Sequence, residues 1–276
     1  MVFVVGAVGI DVVAVRERFL DGTSNPSDIR GGLGGVGYRI FSNLDTPRRF
    51  LTALAADPVS RWAREALEAD GDVVIQEVGG RDARPPLHLA VMESGGLKLA
   101  ASDFRIVEPG LTLPFVQRAI GTPLADDFLV MDANLSPSLL AGLIDRYAGK
   151  MRVVFAPASG EEARRHREAL RGIFLMTLAA GELESLTGGD PRQFMTDRSI
   201  PHIVATRGEA GVRLYGADAV TDLAPRKVIR APDTTGAGDF LLACLLSSLS
   251  SGRDMPAAVR AAMDRVEQRL QSGGDS

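Results

Sequence analysis

From about residue 128 onwards, short apolar runs alternate with segments of helical pattern, and this alternation is the strongest constraint on the fold. The runs are apolar at successive positions, which is typical of strands buried on both faces of a parallel sheet. They are Phe128-Leu-Val-Met131, Met151-Arg-Val-Val-Phe155, Gly172-Ile-Phe-Leu-Met176 and His202-Ile-Val-Ala205, and a similar run, Val2-Phe-Val-Val-Gly-Ala7, lies near the beginning. The alternation predicts an α/β protein in three α/β/α layers, with helices on both faces of a mainly parallel central sheet.

The segments between these runs have helical signals. The segment from Pro137 to Tyr147 follows Ser136, a residue type that caps helix N-termini, and it places proline at the first helical position. Residues 160–170 and 181–186 also have a helical pattern. These assignments complete the strand–helix alternation in the second half of the chain.

Two stretches interrupt this rhythm and predict a small β lid. Residues 12–30 lack a helical period and are rich in turn-forming residues, and residues 73–107 contain β-type runs. These runs are Asp72-Val-Val-Ile-Gln-Glu-Val78, Leu87-His-Leu-Ala-Val-Met92 and Leu97-Lys-Leu-Ala-Ala-Ser102, and the turn Ser94-Gly-Gly96 makes the last two a hairpin candidate. We assign both stretches to one lid on the α/β body, so that residues 1–276 form a single domain.

The composition argues against several classes of protein. The 276 residues are 45% hydrophobic and 24% charged, as in ordinary soluble globular proteins. A net charge of −4 argues against nucleic-acid partners, which select a basic surface. Cys244 is the only cysteine, so no intramolecular disulfide can form. Because the chain shows neither a signal-peptide pattern nor an apolar run long enough for a membrane span, we expect a cytoplasmic protein.

The segment with the clearest chemical signal runs from Ala231 through Asp233-Thr-Thr-Gly-Ala-Gly-Asp239 into the apolar run Phe240-Leu-Leu-Ala-Cys-Leu-Leu246. Polar and glycine residues lead directly into an apolar helix, so Gly236 to Gly238 are predicted to lie at the helix N-terminus. Backbone N–H groups without helical acceptors and the positive end of the helix dipole meet there, which makes an anion site. Glycines let a phosphate group approach the backbone without a Cβ in the way.

Asp239 is predicted to lie in the first helical turn beside this anion site. A carboxylate there can accept the proton of an attacking hydroxyl while the N–H groups stabilise the transferred phosphoryl group. A different interpretation of Asp239 alone is an acidic residue that stabilises the helix dipole. The whole string from Asp233 to Asp239 favours phosphoryl transfer.

The string also resembles the second signature of the PfkB (ribokinase-like) family of sugar and nucleoside kinases, and the resemblance spans nearly the whole chain. The other segments that carry it are Val5-Gly-Ala-Val-Gly-Ile-Asp11, Gly31-Gly32-Leu-Gly-Gly-Val36, Ala55-Ala-Asp57 and Ala205-Thr-Arg-Gly-Glu-Ala-Gly-Val212. Within the family, Phe128-Leu-Val-Met-Asp-Ala-Asn-Leu-Ser136 and Ala100-Ala-Ser-Asp-Phe104 look most like pseudouridine kinases. The resemblance implies a ribokinase-like fold whose β lid closes over the acceptor.

The resemblance also implies roles for individual residues. The catalytic set would be Asp239 as the base with Gly236, Ala237 and Gly238 as the anion hole. The cofactors would be ATP, bordered by Thr206, Gly208 and Thr235, and Mg²⁺, which Glu182 would help to position through water. The sugar or nucleoside would contact Asp11, Gly31, Gly32 and Asn134, and Arg39 would reach toward an anionic group of the substrate. A surface position for Arg39 is the alternative.

Several positions depart from the family pattern. Val36, in an ungapped register, and Ala179 stand where the family has asparagine, and Ala156 stands where pseudouridine kinases have aspartate. These departures motivate a second hypothesis, a protein that keeps the fold and binds a sugar or nucleoside without phosphorylating it. Under either hypothesis the edge of the lid is a candidate surface for a homodimer.

Overall fold

The computed structural model describes residues 1–25, 27–94, 96–157, 159–229 and 234–272. The strands are β1 (Val2–Val5), β2 (Gly9–Val15), β3 (Asp28–Gly34), β4 (Arg48–Ala55), β5 (Val73–Val78), β6 (Leu87–Glu93), β7 (Gly96–Asp103), β8 (Phe128–Asp132), β9 (Arg152–Ala156), β10 (Leu175–Ala179), β11 (His202–Thr206), β12 (Val212–Tyr215) and β13 (Val220–Leu223). The helices are α1 (Val36–Ser42), α2 (Pro58–Asp70), α3 (Val107–Gly110), α4 (Leu113–Ile120), α5 (Pro137–Tyr147), α6 (Gly160–Arg165), α7 (Ala180–Thr187), α8 (Pro191–Arg198), α9 (Ala237–Ser250) and α10 (Met255–Gln271).

The larger sheet confirms the predicted α/β architecture. Among the described residues its strand order is β13-β12-β11-β10-β9-β8-β1-β4-β5, and the pairs from β11 to β5 are parallel. Strands β12 and β13 extend it in antiparallel orientation. All five residues of β8 are buried, as expected for a central strand with helices on both faces.

The two faces of this sheet carry separate apolar clusters. Within β1, Phe3 and Val5 pack into the cluster that includes α5, while Val2 and Val4 pack into the cluster that includes α9. This alternation follows from the two-residue period of a strand. Helix α9 is buried along most of its length, from Phe240 to Leu246, because its sequence is apolar on every side.

The second sheet is the lid, and it differs from the prediction in one strand. Its order is β3-β2-β6-β7, so the strands at residues 9–15, 28–34, 87–93 and 96–103 form it. The assignment of residues 73–78 to the lid is wrong, because β5 pairs in parallel with β4 at the edge of the larger sheet. The predicted hairpin is confirmed by the antiparallel pairing of β6 with β7.

Two boundaries in the second half of the chain also differ. Strand β10 begins at Leu175 rather than at Gly172, because Gly172 adopts a left-handed conformation with φ of 64° and forms a turn before the strand. Helix α6 ends at Arg165 rather than near residue 170, since His166 turns inward and its Nε2 atom contacts the Ala133 carbonyl at 2.9 Å. Ser136 caps α5 as predicted, by accepting a hydrogen bond from the Leu139 N–H.

Among the described helices, none combines the length and the apolar character that crossing a bilayer requires.

Candidate active site

The N-terminus of α9 has the geometry predicted for it. Gly236 is the N-cap and adopts a left-handed conformation with φ of 74°, which a residue with a side chain rarely adopts. The Ala237 N–H is donated to the Thr234 carbonyl at 3.1 Å, so Gly238 and Asp239 supply the first-turn N–H groups best placed for an anion. The predicted residues Ala231 and Asp233 lie outside the described residues.

A cleft of about 350 Å³ lies directly beside this helix end. It is lined where β9, β10 and β11 end, at Ala156, Ala179 and Thr206, which is the edge where open α/β sheets bind ligands. Six of the predicted site residues line it: Arg39, Glu182, Thr206, Gly236, Gly238 and Asp239. The fold therefore brings together residues that lie about 200 positions apart in the sequence.

Asp239 is half-buried at this cleft, and its pKa is raised from the ordinary value of 3.8 to about 7. The main cause is desolvation, because burial penalises the charged carboxylate. Arg39 lowers this pKa, whereas the carboxylates of Asp132 and Glu182 raise it. A carboxyl group with a pKa near neutrality can accept a proton and retain it, which is the behaviour required of a general base.

Arg39 and Asp11 form an ion pair at the junction of the lid and the body. The Nη2 atom of Arg39, on α1, donates to Oδ2 of Asp11, on β2, at 2.7 Å. The other carboxylate oxygen, Oδ1 of Asp11, is buried and has no hydrogen-bond partner in the described part of the chain. Asp11, which was predicted to contact the sugar or nucleoside, thus lies next to a cation that lines the cleft. Arg39 is therefore not a simple surface residue.

The glycine that lies against the Asp11 carboxylate is Gly34, although the predicted Gly32 is the cross-strand partner of Asp11 in the lid. Gly31 and Gly32 lie in β3, and a Cβ at Gly32 would meet nothing within 4 Å. A Cβ at Gly34 would overlap Oδ2 of Asp11, and one at Gly35 would lie 2.8 Å from the Ala7 carbonyl oxygen. The positions at which only a glycine fits without a clash are therefore Gly34 and Gly35, three residues after the predicted pair.

The clash expected at Gly34, but not at Gly32, can be tested by substitution with alanine. Gly34→Ala forces the Asp11 carboxylate to move, so we expect the KM of the acceptor to rise at least tenfold. Gly32→Ala, on the same strand and with open space at its Cβ, is the matched control and should leave KM within about twofold. Steady-state kinetics of the two variants test this expectation, and a larger effect at Gly32 than at Gly34 would contradict it.

Three other predicted residues, Gly208, Thr235 and Asn134, are not among those that line the cleft. Gly208 begins a short 3₁₀ turn just after β11, and Thr235 directly precedes the N-cap of α9. Asn134 donates its backbone N–H to Oδ1 of Asp132 at 2.9 Å. Oε2 of Glu182, which does line the cleft, accepts the Ala179 N–H at 2.7 Å, so one carboxylate oxygen fixes the start of α7.

Two polar residues at or beside the candidate site, Asp132 and Thr177, were not predicted. Asp132 is fully buried at the end of β8, where Oδ2 accepts the Ala7 N–H at 2.7 Å, and burial raises its pKa to about 6. Thr177 lines the cleft and its buried Oγ1 has no partner among the described residues. The sequence signal that could have identified both residues is a polar residue within or directly after an apolar strand run.

Comparisons with known proteins identify a matching family model and several relatives of this chain. Residues 126–271 match the family model described as pfkB family carbohydrate kinase. The chain is 28% identical over 238 residues to the bifunctional protein HldE of Halorhodospira halophila, an alignment that covers 82% of this chain and 48% of that protein. It is 32% identical over 185 residues to the cytidine kinase of Thermococcus kodakarensis, covering 61% and 66% of the two chains. The chain thus spans about half the length of the HldE relative.

A solved structure extends the similarity to the whole fold. The ribokinase of Arabidopsis thaliana, complexed with ribose and ATP, superimposes with a TM-score of 0.79 over 98% of this chain and 92% of that chain, at 17% sequence identity. At this identity the likeness establishes the ribokinase-like fold alone.

Proposed function

Because the chain belongs to the PfkB family of carbohydrate kinases, we propose that it is an ATP-dependent kinase acting on a hydroxymethyl group of a sugar or nucleoside. The acceptor oxygen forms a bond to the γ-phosphorus, and the bond from that phosphorus to the β–γ bridging oxygen breaks. The proton of the acceptor hydroxyl passes to the Asp239 carboxylate. The products are ADP and a phosphomonoester.

The observation that carries this proposal is the position of Asp239 on α9. Its carboxyl group shares one cleft with the N-terminal N–H groups of that helix, and its pKa of about 7 suits a base. The N–H groups stabilise charge on the phosphoryl group as it is transferred, and the carboxylate removes the proton that would otherwise slow the attack. Both functions come from the first turn of one helix.

The cleft also suits a nucleotide and its magnesium ion. Thr206 lines the cleft at the end of β11, and Gly208 and Thr235 lie nearby, where they would border the nucleotide. No cluster of three metal-ligating side chains occurs within the described ranges. This fits Mg²⁺, which keeps several waters and is bound mainly through substrate phosphates, with Glu182 as the carboxylate that would hold one of these waters. The ion would neutralise phosphate charge.

The acceptor would bind between the lid and α1, where Asp11 lies. The relatives include a cytidine kinase, and the solved ribokinase holds ribose, so both nucleosides and free sugars are candidates. A pseudouridine-like nucleoside remains part of the proposal on the sequence resemblance. The lid would close over the acceptor and exclude water, which protects the phosphoryl group from hydrolysis.

The competing hypothesis of binding without catalysis rests on Val36, Ala156 and Ala179, all three of which line the cleft. Their apolar side chains remove hydrogen bonds from its walls, but the base and the helix N-terminus are in place. A coupled ADP-release screen over ribose-, fructose- and nucleoside-type acceptors separates the two. The kinase proposal expects ADP release that depends on one acceptor class. Thermal stabilisation by an acceptor, with no ADP release from any of them, would establish binding without catalysis.

We also propose that the lid supports a homodimer. The β-ladder register places Ile29, Leu87, Leu89 and Leu99 on the lid face opposite to Asp11, and all four are exposed. We expect the double variant Leu89→Lys, Leu99→Lys to halve the mass measured by light scattering, because two charges cannot be buried there. Leu124→Lys, exposed outside the lid, is the control. A monomeric wild-type protein would refute the dimer.

A further inference from the structure

Arg39 has a position that binding to the acceptor alone does not explain. Its guanidinium contacts Asp11 on one side, and on the other it lies against the N-cap of α9. Measured from the ideal Cβ position on Gly236, the Arg39 Cδ, Nη1 and Nε atoms are 3.3, 3.6 and 3.8 Å away. The Arg39 side chain therefore extends from Asp11 in the lid to the N-terminus of α9, which would bind the phosphoryl group.

The position of Arg39 matters because of the other charges that line the cleft. Arg39 is the one cation among the described residues that line the cleft, and it shares the cleft with the carboxylates of Glu182 and Asp239. Two acids facing an incoming polyphosphate repel it, so a counter-charge at the point of transfer is needed. The Arg39 side chain is 31% exposed, which leaves part of the guanidinium accessible from the cleft.

We infer that Arg39 is a catalytic residue that contacts the phosphoryl group in transit above Gly236, while its Nη2 atom holds the Asp11 carboxylate in place. This inference rests on the proposed kinase function and assigns to Arg39 a role on the phosphoryl side of the cleft. A planar guanidinium has five N–H donors in a fixed fork, so it can donate to Asp11 along one edge and to phosphoryl oxygens along another. One side chain thereby couples occupancy of the acceptor site to stabilisation of the reaction.

The kinetic test compares Arg39→Met and Arg39→Lys with Arg64→Met. Arg64, on α2, is also partly buried and ion-paired, with Nη2 3.1 Å from Oε2 of Glu77, but it does not line the cleft. We expect kcat to fall about 10²- to 10³-fold in Arg39→Met, because an arginine on a transferring phosphoryl group contributes an effect of this order or greater. Arg39→Lys should recover part of the loss, and Arg64→Met should retain wild-type kcat.

The changes in kcat, KM and melting temperature together distinguish this role of Arg39 from two others. If Arg39 instead binds an anionic group of the acceptor, its loss raises KM for charged acceptors and leaves kcat and neutral acceptors unchanged. If the role is structural, the melting temperature falls while kcat per folded molecule stays at the wild-type value. Either pattern would overturn the inference.

A pH profile provides a second readout. The charged groups that act on Asp239 are Arg39 from α1, Asp132 from β8 and Glu182 from α7. Removing the cation leaves two acids, so the pKa of Asp239 rises, and the acid limb of kcat/KM in Arg39→Met should move to higher pH. An unchanged acid limb would contradict the placement of the Arg39 charge at the site of transfer.

A binding measurement separates failure of this inference from failure of the proposed function. We expect the wild-type protein to bind ADP, Mg²⁺ and aluminium fluoride, a mimic of the transferring phosphoryl group, more tightly than ADP and Mg²⁺ alone. Arg39→Met should lose this gain of about tenfold or more and keep the affinity for ADP. If aluminium fluoride increases the affinity equally in wild type and Arg39→Met, the role of Arg39 is refuted but the kinase function is not. A wild-type protein that binds no nucleotide refutes the kinase function as well.

Discussion

Replacing Asp239 by asparagine should lower kcat by about 10²- to 10⁴-fold while the fold remains intact. Asparagine has nearly the same shape as aspartate, so the first turn of α9 has no steric reason to move. An amide cannot accept the acceptor proton, and the variant therefore keeps nucleotide binding but loses the base. Steady-state ADP release and nucleotide titration on the same preparation test both parts.

The stability of this variant is an internal control. The pKa of Asp239 is higher in the folded protein than the ordinary value of 3.8, so the folded state binds more protons between about pH 4 and pH 7. Stability contributed by this group is present below that window and is lost as the pH rises through 7. Asparagine does not ionise, so Asp239→Asn does not lose stability in this way and should melt no lower than wild type at pH 8. A variant with wild-type turnover would refute Asp239 as the base.

Replacing Gly238 by alanine should lower kcat/KM about 10²-fold without destabilising the protein. A Cβ at Gly238 would meet no protein atom within 4 Å, because it points into open space, and Gly238 lines the cleft. The new methyl group should keep a phosphate from the first-turn N–H groups, and losing one such donor costs about 10²-fold or more. Alanine in a helix is itself more favourable than glycine by up to about 1 kcal/mol.

The matched control is Gly181→Ala in the first turn of α7. This glycine also has open space at its Cβ but does not line the cleft. Both variants should melt at or above the wild-type temperature, and only Gly238→Ala should lose activity and nucleotide affinity. Wild-type kinetics for Gly238→Ala would show that no phosphate approaches this part of the helix.

Local sequence patterns were sufficient to predict the centre of the site. The change from glycine-rich to apolar sequence at Gly236 locates the start of α9, and Asp239 follows from counting along that helix. The parallel strands β8 and β9 follow from continuous apolar runs, because only a strand covered on both faces tolerates such a sequence. These features depend on neighbouring residues alone.

The features that the sequence did not predict depend on distant contacts. The run Val73–Val78 has the pattern of a strand in either sheet, and only its pairing with β4 assigns it to the larger one. Residues 31–35 include four glycines, and the contact with the Asp11 carboxylate, which distinguishes Gly34, exists only in the folded chain. Asp132 is similar, because its burial and the hydrogen bond that it accepts from the Ala7 N–H arise only when β8 packs beside β1.

We propose that amides at the start of α9 and the Asp239 carboxylate together promote transfer of a phosphoryl group to an acceptor hydroxymethyl group. The most direct measurement follows the label from ATP carrying ³²P at the γ-position, with an acceptor found in the ADP-release screen and with its deoxy analogue lacking the hydroxymethyl oxygen. We predict one labelled phosphomonoester from the acceptor, none from the analogue, and almost none with Asp239→Asn. Labelled inorganic phosphate alone, or an equal yield of labelled product from Asp239→Asn, would contradict the account.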